Sequence, residues 1–126
     1  MSGKSVTEKL FIRKNYTVLL LNAPKGYTQS LGPLPEGVKV TTKATKPAEF
    51  IQVFAAKKND MTQLLLKVKP LLKQDGLLWA TYPKGGQMDT DLKREVVWEC
   101  AQAAGMHAVS QISVDEVWSA LRLKLD

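Results

Sequence analysis

Histidine and cysteine are nearly absent from this chain of 126 residues, which contains one of each, His107 and Cys100. A single cysteine excludes an internal disulfide framework and is typical of a reducing compartment, so we expect a cytoplasmic protein. A single histidine excludes a metal site built from several histidines, and we therefore predict no metal site.

Long apolar runs are also lacking. No run approaches the roughly 18 residues of a membrane span. The N-terminal segment MSGKSVTEKLFIRKN has no apolar core of signal-peptide length, so we expect neither membrane contact nor export. The chain shows no internal repeat, and its 44% hydrophobic and 24% charged residues are ordinary for one globular domain.

Acidic residues are scarce in the first half of the chain. Residues 1–58 contain nine lysines, one arginine and three acidic residues, whereas residues 59–126 contain eight basic and nine acidic residues. This asymmetry fits an anionic partner such as nucleic acid. A solvated lysine-rich surface is the preferred interpretation, because lysine without arginine lacks the bidentate geometry that recognises phosphate or guanine.

The segment from Phe50 to Gly86 predicts one βαβ unit, the building block of a parallel sheet. FIQVFA forms a strand, NDMTQLLLKVKPLLKQDG a helix, and LLWATY a second strand before the loop PKGG. Asn59 or Asp60 can cap the helix start, and Asp60 with Gln63 resembles a capping box. Pro70 predicts a kink or a second short turn, and Asp75–Gly76 predicts the helix end.

Similar patterns predict the remaining elements. Strands are expected at Tyr16–Asn22, Val38–Thr42, His107–Val114 and Val117–Leu125, with helices at Tyr27–Leu31 and from a cap at Asp89–Asp91 to Ala104. The result is a single α/β domain over residues 16–126, preceded by an arm or short helix at residues 1–15. We predict a three-layer sandwich with a mainly parallel sheet and an antiparallel C-terminal edge strand.

The candidate ligand site follows from this topology, because open parallel sheets bind ligands beyond the carboxyl ends of their strands. Three loops meet at that rim and contribute Asn22, Lys25, Gly26, Tyr27, Lys57, Lys84 and Gly85. The segment Lys84–Gly85–Gly86 lacks the pattern of a phosphate-binding loop, and its alternative role is a flexible connection.

Other candidate residues have structural explanations. Cys100 lies on the predicted buried helix stripe, and a nucleophile needs exposure and a nearby base. Asp115 and Glu116 are adjacent and would point to opposite faces of a strand, so they make a poor acid–base pair. We interpret the tryptophans as packing residues. Trp118 shares its predicted strand face with Arg122 and Lys124, which favours partial exposure and contact with a partner. We predict no catalytic residues. The three tryptophans are Trp79, Trp98 and Trp118.

The combination of LLLNAPKGY, LGPLPEGV, LLWATYPKGG, DLKREVV and VDEVWSALRL resembles a family of small uncharacterised bacterial proteins, described as domains of unknown function. The order of elements from Tyr16 to Leu125 also resembles class I, Rossmann-like methyltransferases that use S-adenosylmethionine. The resemblance implies a Rossmann-like fold with the cofactor loop after the first strand, and it brings no established activity.

The sequence departs from the methyltransferase pattern at two places. In the loop Asn22–Gly26 only Gly26 stands where those enzymes have glycine-x-glycine, and Thr41, Thr42 and Lys43 stand where they have an acidic residue. We therefore predict a non-enzymatic binding or interaction module with a degenerate cofactor loop and no bound cofactor. Its partner would be a small anionic ligand or a protein, and self-association through an edge strand is a further expectation.

Two alternatives stay open. One is an S-adenosylmethionine-dependent methyltransferase with an atypical pocket, and the other is a basic nucleic-acid-binding module. The second alternative predicts binding that weakens steeply with ionic strength.

Overall fold

The structure is a computed structural model that describes residues 6–85 and 87–126. The first five residues of the predicted N-terminal arm, and Gly86 of the Lys84–Gly85–Gly86 loop, lie outside the described residues. Within the described part, no helix has the length and apolar character needed to cross a membrane.

Within the described residues, six strands form one sheet: β1 (Thr17–Leu21), β2 (Lys39–Thr41), β3 (Ala48–Phe54), β4 (Leu72–Pro83), β5 (Met106–Ser113) and β6 (Trp118–Leu125). Their order in the sheet is β2-β1-β3-β4-β6-β5. The first four strands are parallel, and β6 pairs antiparallel with both β4 and β5. The predicted α/β sheet with antiparallel C-terminal strands is confirmed. The edge position expected for the last strand, Val117–Leu125, is corrected: β6 pairs with both β4 and β5, and β5 forms the edge.

In the part of the chain that the structure describes, four α-helices pack on this sheet: α1 (Val6–Leu10), α2 (Tyr27–Ser30), α3 (Lys58–Val68) and α4 (Arg94–Ala103). One core cluster joins α3 and α4 to one face through residues such as Met61, Leu65 and Val97. A second cluster joins α1 and α2 to the other face through Leu10 and Tyr27. The predicted three-layer arrangement is confirmed.

The central strands are apolar on both faces because both faces are covered. In β1, Leu19 belongs to the first cluster and Leu20 to the second, and both are buried. Strands buried on both faces read as continuous apolar runs rather than alternating ones. This explains why Val18–Leu21 is a continuous apolar run.

The predicted end of the βαβ helix is wrong. The helix α3 ends at Val68, a 3₁₀ turn containing Pro70 follows at Lys69–Leu71, and β4 begins at Leu72. Asp75 and Gly76 lie within β4, where the pairing with β3 shifts register between Ala48 and Phe50. The expected turn at Pro70 is confirmed, because proline cannot donate the bond that continues the helix.

Both predicted helix caps are wrong as well. The helix α3 starts at Lys58, before Asp60, and its N-cap residue Lys57 makes no side-chain capping bond. The helix α4 starts at Arg94, whereas the expected cap at Asp89–Asp91 precedes it and belongs partly to a 3₁₀ turn. At the start of α3, a tertiary contact from the Asp91 carboxylate to the Lys58 backbone N–H takes the place of a local cap.

The expected exposure of the tryptophans is also corrected. Trp98 on α4 is 47% exposed, whereas Trp118 is only 7% exposed and packs edge-on against Phe54 with ring centroids 5.2 Å apart. The buried stripe of α4 consists of Val97, Cys100 and Ala101. Trp98 lies off that stripe, so the helix geometry directs it to solvent.

Candidate functional site

The strand order reverses between β1 and β3, since the chain leaves β1 for β2 on one side and leaves β3 for β4 on the other. The helix α2 follows β1 on one face, and α3 follows β3 on the opposite face. Ligands of open α/β sheets bind in the crevice at the carboxyl ends of the strands at such a point. The loops at residues 22–26 and 55–57 flank this place.

The loop after β1 is exposed and contains two residues in the left-handed region. Asn22 has φ of 61°, and Gly26, the N-cap residue of α2, has φ of 82°. Lys25 lies between them and is also exposed. Glycine adopts this conformation without a steric penalty, so Gly26 serves the turn into α2.

Tyr27 does not belong to the exposed rim. Its side chain is 3% exposed and packs edge-on against Phe54, with ring centroids 4.7 Å apart. The position is the first residue of α2, which directs the ring toward the sheet. The inclusion of Tyr27 among rim residues is therefore corrected, because its apolar ring gains more from burial than from contact with solvent.

A buried chain of polar groups runs beneath α2. The Tyr27 hydroxyl donates to Gln52 Oε1 at 2.9 Å, and Gln52 Nε2 donates to Thr81 Oγ1 at 2.9 Å. Within the described residues no buried side-chain polar atom lacks a partner. Burial raises the pKa of Tyr27 above its ordinary value, which the hydrogen bond to Gln52 opposes in part. The phenol therefore remains a donor at physiological pH.

Residues 87–91, here named the strap, dock on the carboxyl end of β3. Lys57 Nζ donates to the Asp89 carbonyl oxygen and lies 3.9 Å from its carboxylate. The Thr90 hydroxyl donates to the Ala56 carbonyl oxygen. Asp91 Oδ1 accepts the Lys58 backbone N–H at 2.8 Å. The strap thus binds both the Lys57 ammonium and the start of α3.

Lys84 is similarly engaged. Its backbone N–H donates to the Val117 carbonyl oxygen at 2.7 Å, and its Nζ donates to Ser113 Oγ. Gly85 is exposed, with φ of 53° and open space around its Cα. The structure therefore separates the predicted rim into an open part after β1 and a part whose lysines contact the chain itself.

A groove between α4 and the β5–β6 hairpin lies beside this second part. One cavity of about 390 Å³ is lined by Arg94, Glu95, Trp98, Ala108, Ser110, Gln111 and Leu121. An adjoining cavity of about 360 Å³ shares Arg94 and Gln111 and adds Tyr82, Lys84 and Lys93. We name the two together the α4 groove. Its combined extent matches that of small-molecule sites.

The α4 groove is apolar at one end and basic at the other. Trp98 lies at the apolar end, and Lys84 and Lys93 lie at the basic end. Between them, Gln111 Nε2 donates to the Tyr82 hydroxyl at 3.1 Å. Burial raises the pKa of Tyr82, and the Arg94 charge opposes that shift.

Arg94 also forms an exposed ion pair with Glu95, with the nitrogen and oxygen 3.6 Å apart. The neighbouring Lys93 forms no ion pair within the described residues. The groove therefore offers a positive charge at one end and an aromatic surface at the other.

The other residues singled out from sequence have structural roles. Cys100 is buried, with Sγ 3.6 Å from the Lys58 carbonyl oxygen. His107 Nδ1 lies 2.8 Å from Asp126 Oδ1 on the surface. Asp115 Oδ1 accepts the backbone N–H groups of Val117 and Trp118 at 2.8 Å and so closes the hairpin turn. Residues 6–85 and 87–126 contain no cluster suited to a metal ion.

Sequence reasoning missed the main parts of this region, although two signals were present. Gln52 is the one polar residue within the run Phe50–Ala55, and a buried amide requires partners on neighbouring elements. Trp98 falls off the apolar stripe of its helix, which indicates exposure. The strap contacts carried no comparable signal, because they join residues far apart in sequence.

The fold places the chain in a class: an α/β protein whose six-stranded sheet matches Rossmann-like methyltransferase folds. The fibrillarin pre-rRNA processing protein of Methanococcus jannaschii is similar at 15% identity and a TM-score of 0.61, over 89% of this chain and 67% of that chain. A SAM-dependent methyltransferase from Aquifex aeolicus is similar at 14% identity and a TM-score of 0.60, over 94% and 86%.

A third structure, the DhpI–SAH complex, is similar at 13% identity and a TM-score of 0.62, over 90% of this chain and 78% of that chain. Identities this low establish the fold alone. No curated protein matches the chain.

The family model for the protein of unknown function DUF3052 matches residues 49–126, more than half of the chain. The chain belongs to this family. The predicted resemblance to a domain of unknown function with a methyltransferase-like fold is confirmed.

Proposed function

We propose that this protein is a non-enzymatic binding module that holds a small amphipathic anion in the α4 groove. The observation that carries the proposal is the exposure of Trp98, at 47%, in the same groove as Lys84 and Lys93. Aromatic faces bind apolar groups, and lysine ammonium groups attract anions. A ligand with an aromatic body and one negative group would contact both ends.

The rim after β1 supports a binding role without S-adenosylmethionine. Tyr27 occupies the first helical position after the loop and fills the space against Gln52. Thr42 and Lys43 follow β2, so no carboxylate is available there for ribose hydroxyl groups. Lys57 is already paired with Asp89 of the strap. These residues fit S-adenosylmethionine poorly, and we propose no reaction that uses it.

The first test uses 1-anilinonaphthalene-8-sulfonate, a fluorescent aromatic anion. We expect saturable binding to the folded protein that Trp98→Ala weakens at least tenfold, because both the aromatic contact and the apolar area are lost. The neutral relative N-phenyl-1-naphthylamine lacks the sulfonate. Lys93→Gln should weaken binding of the anion and leave binding of this neutral probe unchanged.

Lys67→Gln serves as the matched control, because Lys67 is an exposed lysine on α3 that does not line the groove. Equal weakening by Lys67→Gln and Lys93→Gln would indicate a general charge effect and would count against the proposal. If a folded Trp98→Ala variant binds 1-anilinonaphthalene-8-sulfonate as tightly as the wild type, the proposal is wrong.

The second candidate is an S-adenosylmethionine-dependent methyltransferase, which the methyltransferase-like fold favours. Titration calorimetry with S-adenosylmethionine and S-adenosylhomocysteine tests it. We expect no saturable heat from a folded sample. Micromolar binding that Gly26→Val abolishes would instead support the cofactor site, since valine strongly disfavours the positive φ at this turn.

A further inference from the structure

A further cavity, separate from the α4 groove, has a different chemistry and lies at the opposite end of the sheet, where the parallel strands begin. It measures about 360 Å³ and is lined by Phe11, Arg13, Tyr16, Asp75, Leu77 and Arg122. Tyr16 precedes β1, and Leu77 pairs with Phe50, which pairs with Val18 near the start of β1, so both lie toward the amino end of β1. The α4 groove shares none of these residues.

Two of the three arginines in the chain line this cavity. Within the described residues neither guanidinium forms an ion pair or a side-chain hydrogen bond, whereas Lys73 nearby is paired with Glu49 at 2.7 Å. Arg122 is half-buried on β6 and stands opposite Trp79 of β4. A partly desolvated guanidinium without a carboxylate partner favours an anion from outside the chain.

The backbone around the cavity is fixed in an unusual way. Phe11 has φ of 64° and its ring is 44% exposed, although Leu10 and Ile12 on either side are buried. Trp79 Nε1 donates to the Leu10 carbonyl oxygen at 3.1 Å and holds this turn in place. A bulky residue rarely adopts positive φ, and such residues concentrate at binding sites.

A second residue with positive φ, Asp75, lies at the same cavity with φ of 63°. It belongs to the irregular start of β4, where Gly76 packs against the carbonyl oxygen of Glu49. Asp75 is the one carboxylate among the lining residues, against two guanidinium groups, so the cavity keeps a positive balance.

We propose that this cavity, named the arginine pocket, binds a small anion with a flat apolar group, an aromatic phosphate or carboxylate. The two guanidinium groups suit the bidentate geometry of either anion. The exposed ring of Phe11 and the half-buried ring of Tyr16 suit a flat ring. The site is independent of the α4 groove and of the proposed function assigned to it.

The test is a titration of ¹⁵N-labelled protein with phenyl phosphate, followed through backbone and arginine Nε–H resonances. We expect saturable shifts at Phe11, Arg13, Tyr16 and Arg122. Arg13→Gln and Arg122→Gln should each weaken binding about tenfold, as the loss of a charged hydrogen bond predicts. Benzoate distinguishes a carboxylate site from a phosphate site, and inorganic phosphate measures the contribution of the ring.

Lys46→Gln removes one positive charge from an exposed loop outside the pocket and is the matched control. Trp98→Ala should leave phenyl phosphate binding unchanged, which separates this pocket from the α4 groove. Shifts spread over the surface lysines, or equal weakening by Lys46→Gln and Arg13→Gln, would overturn the proposal. If Arg122→Gln fails to fold, the more exposed Arg13→Gln decides the question alone.

Discussion

Asp91 caps the helix α3 from outside it: its carboxylate accepts the backbone N–H of Lys58 at 2.8 Å, although the two residues are 33 positions apart. A carboxylate satisfies a free N–H at a helix start and interacts favourably with the positive end of the helix dipole. The same contact fixes the strap against the carboxyl end of β3.

Asp91→Ala should therefore lower the free energy of unfolding by about 1 kcal/mol, the usual value of an N-cap. Asp60→Ala is the control, because Asp60 lies within the first turn of α3 without making the cap. Urea unfolding measures both. Equal losses in the two variants would show that general charge near the helix start, and not the bond to Lys58, is responsible.

Gln52→Leu should destabilise the protein strongly, by about 2–4 kcal/mol, because it leaves the buried hydroxyl groups of Tyr27 and Thr81 without their partner. The triple variant Tyr27→Phe, Gln52→Leu and Thr81→Val should recover much of this loss, since no polar group is then left unpaired. Thermal or urea unfolding of the series measures the effect. A triple variant less stable than Gln52→Leu would contradict this account.

Gly76→Ala should cost about 1–3 kcal/mol through overpacking. A Cβ there would lie 2.8 Å from the Lys73 carbonyl oxygen and 2.9 Å from that of Glu49. Gly85→Ala meets no atom within 4 Å and bears only the strain of its positive φ, so it should cost less. If urea unfolding ranks the two substitutions in reverse, the close packing at Gly76 is not a constraint.

The pairing of Glu49 makes a small part of the stability depend on pH. The Lys73 ammonium at 2.7 Å, and next the Thr17 backbone N–H at 2.7 Å, hold the pKa of Glu49 below its ordinary value of 4.5. A lowered pKa in the folded state stabilises the protein above the ordinary value, and this contribution is lost as pH falls through the lowered value. Glu49→Gln should remove it.

The difference in unfolding midpoint between the wild type and Glu49→Gln should therefore be largest at neutral pH and shrink below pH 4.5. Urea unfolding at several pH values measures it. A difference that stays constant down to strongly acidic pH would mean that the carboxylate charge contributes nothing.

Much of the sheet could be predicted from sequence because burial on both faces leaves a clear pattern. The apolar run Val18–Leu21 arises because each face of β1 contacts a different core cluster. The start of α3 could not be predicted, because its cap comes from Asp91. The position of the loop after β1 at the carboxyl end of the sheet could be predicted from topology. The burial of Tyr27 could not, because it depends on a hydrogen bond to Gln52 on another strand.

The α4 groove and the arginine pocket could not be predicted from the sequence for a related reason. Each cavity is formed by side chains from separate elements, such as Trp98 with Leu121, or Arg13 with Arg122. Sequence patterns indicate which face of an element is apolar, but not how far two elements stand apart where they meet.

The insertion of β6 between β4 and β5 also affects the order of events during synthesis. Trp79 of β4 pairs with Arg122 of β6, and Ala108 of β5 pairs with Leu123. While residues 118–125 are still inside the ribosome, β4 has an open edge and β5 has no neighbour in the sheet. The outer strand β5 therefore joins the sheet only through β6, and the sheet is complete only when β6 pairs with both neighbours.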